Sequence, residues 1–139
     1  MSIARNERGS VASSILLLNK AYPPWPGGIE RHVKHLAEGL AGRGWSVLVL
    51  CSSSHFISCE ERSPNLRIHR TRNWGTVWSQ PVSPAILSGI RRIEADIVHV
   101  HTPFPVGMLA CLARRKSSVL VVTWHSDVVR QRAARPLLA

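Results

Sequence analysis

The chain has 139 residues, 45% of them hydrophobic and 19% charged, which fits one ordinary globular domain and excludes a disordered tail. No apolar run approaches the roughly 20 residues of a membrane-spanning helix, and Ile15–Leu18 is too short for a signal-peptide core, so a cytoplasmic protein is expected. With 18 Lys and Arg against 8 Asp and Glu, a net charge of +10 suits polyanions such as nucleic acid, anionic lipid headgroups or phosphorylated substrates, and charge alone does not choose among them.

Residues 1–13 are polar and without apolar period, and read as a flexible lead-in; residues 14–139 read as the folded part. Ser14–Leu18 (SILLL) is a continuous apolar run, the pattern of a strand buried on both faces. Asn19–Gly28 (NKAYPPWPGG) is a loop by its prolines and glycines. From Ile29 to Arg43 a helix is predicted: Ile29, Val33, Leu36, Ala37, Leu40 and Ala41 form one stripe, and Gly42 or Gly44 supplies a left-handed C-cap. Trp45–Cys51 (WSVLVLC) completes a βαβ unit.

Ser52–Asn65 reads as polar loop, Leu66–Arg70 as a half-buried strand and Thr71–Ser83 as irregular chain. Pro84–Ile93 has helical spacing, Asp96–His101 (DIVHVH) is a strand, and Pro105–Arg115 is a helix ending in the basic run Arg114, Arg115, Lys116. Ser118–Trp124 (SVLVVTW) reads as another buried strand, and Val128 onward as a basic helix capped by Ser126 or Asp127. Alternating strands and helices predict a Rossmann-like, three-layer α/β domain with a mainly parallel sheet, Ser14–Leu18 at its centre. Ligands of such folds bind at the carboxyl ends of the strands. Cys51, Cys59 and Cys111 are odd in number and lack a C-x-x-C pair, so free thiols are expected in place of a disulfide framework or structural zinc.

Three segments fall at that edge. Gly27 and Gly28, between a buried strand and a helix, let backbone approach a ligand beside a helix N-terminus suited to phosphate; a plain tight turn has the same signature. Glu30 also has an ordinary role, favouring the helix dipole from the first turn. His99 and His101 share one face of their strand, His99 reading as a satisfied, half-buried imidazole and His101 falling at the functional end. His125 lies just past the last strand. No helical His pair accompanies these residues, so no bound metal is expected, and the absence of G-x-S-x-G argues against a Ser126–His125 hydrolase.

In order, YPPWPGGIERHVKHLAEGLAGRGWSVLVLC, DIVHVHTPFP and VVTWHSDVVRQ resemble the opening, the D-(I/V)-(I/V)-H-x-H segment and the T-x-H segment of retaining, family 4 glycosyltransferases of the GT-B fold; Trp45 stands where the family usually has His. The resemblance runs from about Ile15 to the C-terminus, with Ser52–Ile93 matching only in broad pattern. It implies an acceptor-side domain facing a donor-binding domain, with transfer from a nucleotide-sugar to a saccharide or lipid-linked acceptor. It implies that Gly27 and Gly28 approach the donor diphosphate and that His125 faces the transferred sugar. His101, Thr102 and Phe104 would line the cleft, with Glu30 a further candidate, and neither cofactor nor metal is implied. The family's basic pair for the diphosphate and its E-x7-E segment are not in this sequence. The expectation is therefore the incomplete N-terminal half of a GT-B architecture, a fragment inactive alone, leaving Trp25 and Phe104 in water. The alternative is a basic module binding nucleic acid or an anionic membrane at its inner face. Scattered Arg and Lys without a recognition motif argue against nucleic acid.

Overall fold

A computed structural model describes residues 13–78, 80–114 and 117–125. The capping residues Ser126 and Asp127, the helix from Val128, the basic residues Arg115 and Lys116, and all of the lead-in but Ser13 lie outside the described residues.

Strand β1 (Ser14–Leu18) is followed by helix α1 (Gly28–Gly42) and strand β2 (Ser46–Ser52). Next come β3 (Cys59–Ser63), β4 (Leu66–Thr71) and a two-stranded ribbon of β5 (Thr76–Val77) and β6 (Gln80–Pro81). Helix α2 (Ala85–Ile90), strand β7 (Ile97–Thr102), helix α3 (Pro105–Leu112) and strand β8 (Val119–Trp124) complete the described chain. The six-stranded sheet runs β3-β4-β2-β1-β7-β8 and is parallel except where β3 pairs antiparallel with β4. This is the expected Rossmann-like α/β arrangement with β1 central.

The strand period of two divides the core. Leu16, Leu18, Leu48, Leu50, Val98 and Val100 face Ile86 and Ile90 of α2 and Ala110 and Cys111 of α3. Ile15, Leu17, Val47, Val49 and Cys51 face Val33, Ala37 and Ala41 of α1. Continuous apolar runs are thus required, because alternate residues of one strand serve different layers. At the amino edge, the Ser14 hydroxyl and backbone N–H both donate to Asp96 Oδ2, at 2.7 and 2.8 Å, tying β1 to the start of β7. These bonds hold the Asp96 carboxyl below its ordinary value. Helix α1 ends at Gly44, whose φ of +87° and N–H to the Ala41 carbonyl, with Trp45 N–H to Leu40, form a Schellman closure.

Two sequence expectations are corrected. The loop expected over Ser52–Asn65 contains β3, an exposed, charge-rich edge strand with no apolar alternation to reveal it. Pro64-Asn65, with Asn65 at φ 60°, turns the chain into β4. Ser118–Trp124 does form a strand, but it is exposed, with Val119 at 60% and Val122 at 53% of full accessibility. It is the edge next to β7, and α3 packs on β7 instead.

Candidate functional site

Because β1, β2, β4, β7 and β8 are parallel, their carboxyl ends lie along one edge. The loop leaving β1 is held locally by the buried Asn19, whose amide donates to the Ala21 carbonyl at 2.8 Å. It delivers Gly27 to the N-cap of α1 and Glu30 to the third helical position. Glu30 is buried, and its carboxylate folds back over the cap: a Cβ on Gly27 would lie 1.9 Å from Glu30 Oε2. A Cβ on Gly28 meets nothing within 4 Å. The two glycines therefore differ: Gly27 makes room for the protein's own acid, whereas Gly28 faces open space.

Strand β7 places His99 and His101 on one face, their ring centroids 4.2 Å apart. His99 Nε2 is hydrogen-bonded to Thr123 Oγ1 on β8 at 2.7 Å, the satisfied imidazole expected there. His101 Nδ1 meets His125 Nε2 at 2.9 Å. The His125 backbone N–H donates to the Thr102 carbonyl at 3.2 Å and the Thr102 hydroxyl to the Thr123 carbonyl at 3.1 Å, so β7 and β8 fix the pair jointly. A third ring arrives from α1: His32 lies edge-on, 5.0 Å from His125 and 5.8 Å from His101. His32 is one helical turn past Gly28, so this contact brings the start of α1 against the histidine pair.

Burial drives His101 from an ordinary 6.5 down to about 3, with His99, His125 and His32 adding to the shift. His99 is lowered by burial and then by His125 and His32. His125 is lowered by burial and His32, with Glu30 pulling the other way. The three rings are accordingly neutral at neutral pH. His101 Nε2 is buried without a partner among the described residues, and a bare lone pair is tolerated better than a bare N–H. That places the His101 proton on Nδ1, donating to His125 Nε2, and the His125 proton on its own Nδ1.

Of the residues singled out by sequence, Gly27, Gly28 and His125 keep exposed or partly exposed surface. Glu30, His101, Thr102 and Phe104 are buried. The expectation that Phe104 lies in water is corrected: it belongs to the core cluster under α3, where its ring packs so closely on Gly107 that a Cβ there would be 2.3 Å from Cδ1. Trp25 is only partly exposed. His32 escaped the sequence reading because it lies off the apolar stripe of α1; its spacing of one turn from Gly28 was the available signal.

Residues 26–139 match the family described as Glycosyltransferase Family 4. The chain is 31% identical to O-antigen chain mannosyltransferase C of Escherichia coli, over 80% of this chain and 30% of that protein. It is 32% identical to the phosphatidyl-myo-inositol mannosyltransferase of Mycobacterium leprae, over 76% of this chain and 29% of that protein. Among solved structures, sucrose-phosphate synthase from Thermosynechococcus elongatus aligns over 87% of this chain and 35% of its own, with a TM-score of 0.59 at 17% identity, a likeness of fold. The chain thus spans about 30% of the length of these curated relatives.

The two glycines predict opposite effects in urea unfolding. Gly27→Ala should cost about 1–3 kcal/mol, because its methyl must displace the buried Glu30 carboxylate. Gly28→Ala should be neutral or stabilising by up to about 0.5–1 kcal/mol, since the space is open and alanine favours a helix. Equal unfolding midpoints for the two variants would show that Glu30 swings clear.

The lowered histidines also predict acid sensitivity. Unfolded imidazoles take up protons near 6.5, whereas folded His101 resists until about 3. Across that window the unfolded chain binds more protons, so stability falls as pH drops from about 6.5, before Asp96 begins to titrate at lower pH. Urea midpoints in chelator-containing buffer should therefore decline between about pH 7 and 4.5, and less steeply in His101→Gln. A flat wild-type profile would contradict the neutral cluster.

Proposed function

The chain belongs to Glycosyltransferase Family 4, and from this premise we propose that it forms the acceptor-side wall of an enzyme moving a sugar from a nucleotide-sugar to a saccharide or lipid-linked acceptor. Retention at the anomeric carbon is the stereochemistry that the family resemblance implies. The reading is carried by one observation: the open Gly28 start of α1 and the His101–His125 pair meet at the carboxyl edge of the sheet, through His32.

Each part has a chemical use. The first N–H groups of α1 lack intrahelical partners and sit at the positive end of its dipole, so a phosphate approaching Gly28 finds donors without a side chain in the way. His125, neutral, held through Nε2 by His101 and partly exposed, keeps its Nδ1–H as a donor for a sugar hydroxyl. Such a fixed dipole stabilises charge separation in the transition state without reorganising. His101 acts by holding His125, and Thr102 and Phe104 by holding the strand end beneath it.

A second reading has its own observation. Phe56, Ile57, Trp74 and Trp78 are exposed, Trp78 at 88%, on the loop and ribbon that follow β2 and β4, with the Arg72 guanidinium 3.7 Å over the Phe56 ring. Exposed aromatics beside cations suit the headgroup region of a membrane, and such a contact would bring the same sheet edge to a lipid-linked acceptor.

Given GDP- and UDP-sugars with saccharide and lipid-linked acceptors, the 139 residues alone are expected to give no turnover. Joined to the donor-binding half of a relative they are expected to transfer, and His125→Ala should lower kcat roughly 10²–10³-fold. Full turnover by the chain alone, or by His125→Ala in the joined protein, would place the reacting centre elsewhere. For the membrane contact, co-sedimentation with phosphatidylglycerol-containing vesicles should weaken in a Trp74→Ser, Trp78→Ser variant. Equal sedimentation with and without that pair would remove the patch from the reading.

A further inference from the structure

His32, His101 and His125 each offer a ring nitrogen, and all three atoms lie within 4.8 Å of one another. The ligands come from α1, β7 and the residue after β8, so the packed sheet brings them together. We propose that these three histidines form a binding site for a borderline transition-metal ion of the Zn²⁺ type, with a fourth coordination position open to the edge of the sheet. This reverses the expectation drawn from the sequence, which weighed His99, His101 and His125 but not the ligand His32 that α1 supplies.

The ligand set selects the ion. Three imidazoles with one open position form an established zinc environment, whereas Mg²⁺ and Ca²⁺ require oxygen donors that this cluster does not present. Zn–N bonds of 2.0–2.1 Å at tetrahedral angles separate the ligand nitrogens by about 3.4 Å. His101 Nδ1 and His125 Nε2, at 2.9 Å, must therefore part slightly, while His32 moves inward. His32 is exposed and His125 partly exposed, so both can rotate against a buried, fixed His101.

The Glu30 charge acts favourably on His125 and would act likewise on a cation beside it. An ion here would occupy the nitrogens that hold and aim His125, so Zn²⁺ should inhibit transfer. That consequence rests on the transferase reading; the binding itself does not.

The full chain, freed of metal by chelation, would be titrated with Zn²⁺ by calorimetry and with Co²⁺ by visible absorption. The expected result is one ion per chain and the intense visible bands of four-coordinate Co²⁺. His32→Ala and His125→Ala change side chains with exposed surface, and each should weaken binding by at least the 10–100-fold that loss of an outer-shell partner costs. Cys59→Ser and His35→Ala, at exposed positions outside the cluster, should leave it unchanged, and Mg²⁺ should give no saturable heat. Absence of saturable Zn²⁺ binding, or binding that survives His32→Ala and His125→Ala but is lost in Cys59→Ser, would overturn the site. Tight binding through the three histidines with no effect on transfer would uphold the metal site and count against His125 in the transferase.

Discussion

Burial of Ser14–Leu18 on both faces is the constraint from which the geometry follows. A strand whose alternate residues enter different core layers must have hydrogen-bonded neighbours on each side, and here they are β2 and β7. Parallel pairing on both sides sends every return connection across a face of the sheet, which places α1 on one side and α2 and α3 on the other. It also gathers the carboxyl ends of β1, β7 and β8 at one edge. The meeting of His32, His101 and His125 is thus a product of topology, since no two of the three belong to the same element.

The same packing sets the chemistry of the rings. Four imidazoles in contact could share positive charge only at high cost, and burial beneath His32 and His125 removes the water that would offset it. The cluster resolves the conflict by keeping His99, His101 and His125 neutral and by bonding internally. Neutrality turns His101 into a fixed hydrogen-bonding prop and leaves His125 with one committed and one available nitrogen. The two proposals thus draw on a single arrangement: a sugar hydroxyl would accept from His125, or a metal ion would take the lone pairs in its place.

Legibility in the sequence followed burial. SILLL and WSVLVLC could be placed to within a residue or two because strands of the sheet interior carry continuous apolar runs, and DIVHVH through its alternating valines and histidines. CEERS could not, since an exposed edge strand needs charges against further pairing and offers no hydrophobic period. SVLVVTW showed a strand but not its position: the residues of an edge strand and a central one can be identical, and only the packing of neighbouring helices separates them. At the site, His101 and His125 were legible from their places at strand ends. The burial of Phe104 was not, because it depends on the missing side chain of Gly107 three residues on. His32 was not, because its partners are 69 and 93 residues away, by subtraction of the residue numbers.

Gly27 and Glu30 limit what α1 can do for an anion. The helix N-terminus carries an effective charge of only about +0.5, and the Glu30 carboxylate already lies against the Gly27 side of it. A phosphate brought to this point can approach on the open Gly28 side alone, and there it shares a modest positive field with a full negative charge nearby. The neutral histidines add dipoles and no counter-charge. Neutralising a diphosphate leaving group is a task for full cations, so on the proposed transferase reading this cluster is better suited to orienting a sugar than to holding its phosphates. In that reading the glycine-opened helix end and the imidazole supply position and hydrogen bonds, while a donor's charge is met mainly from outside the cluster.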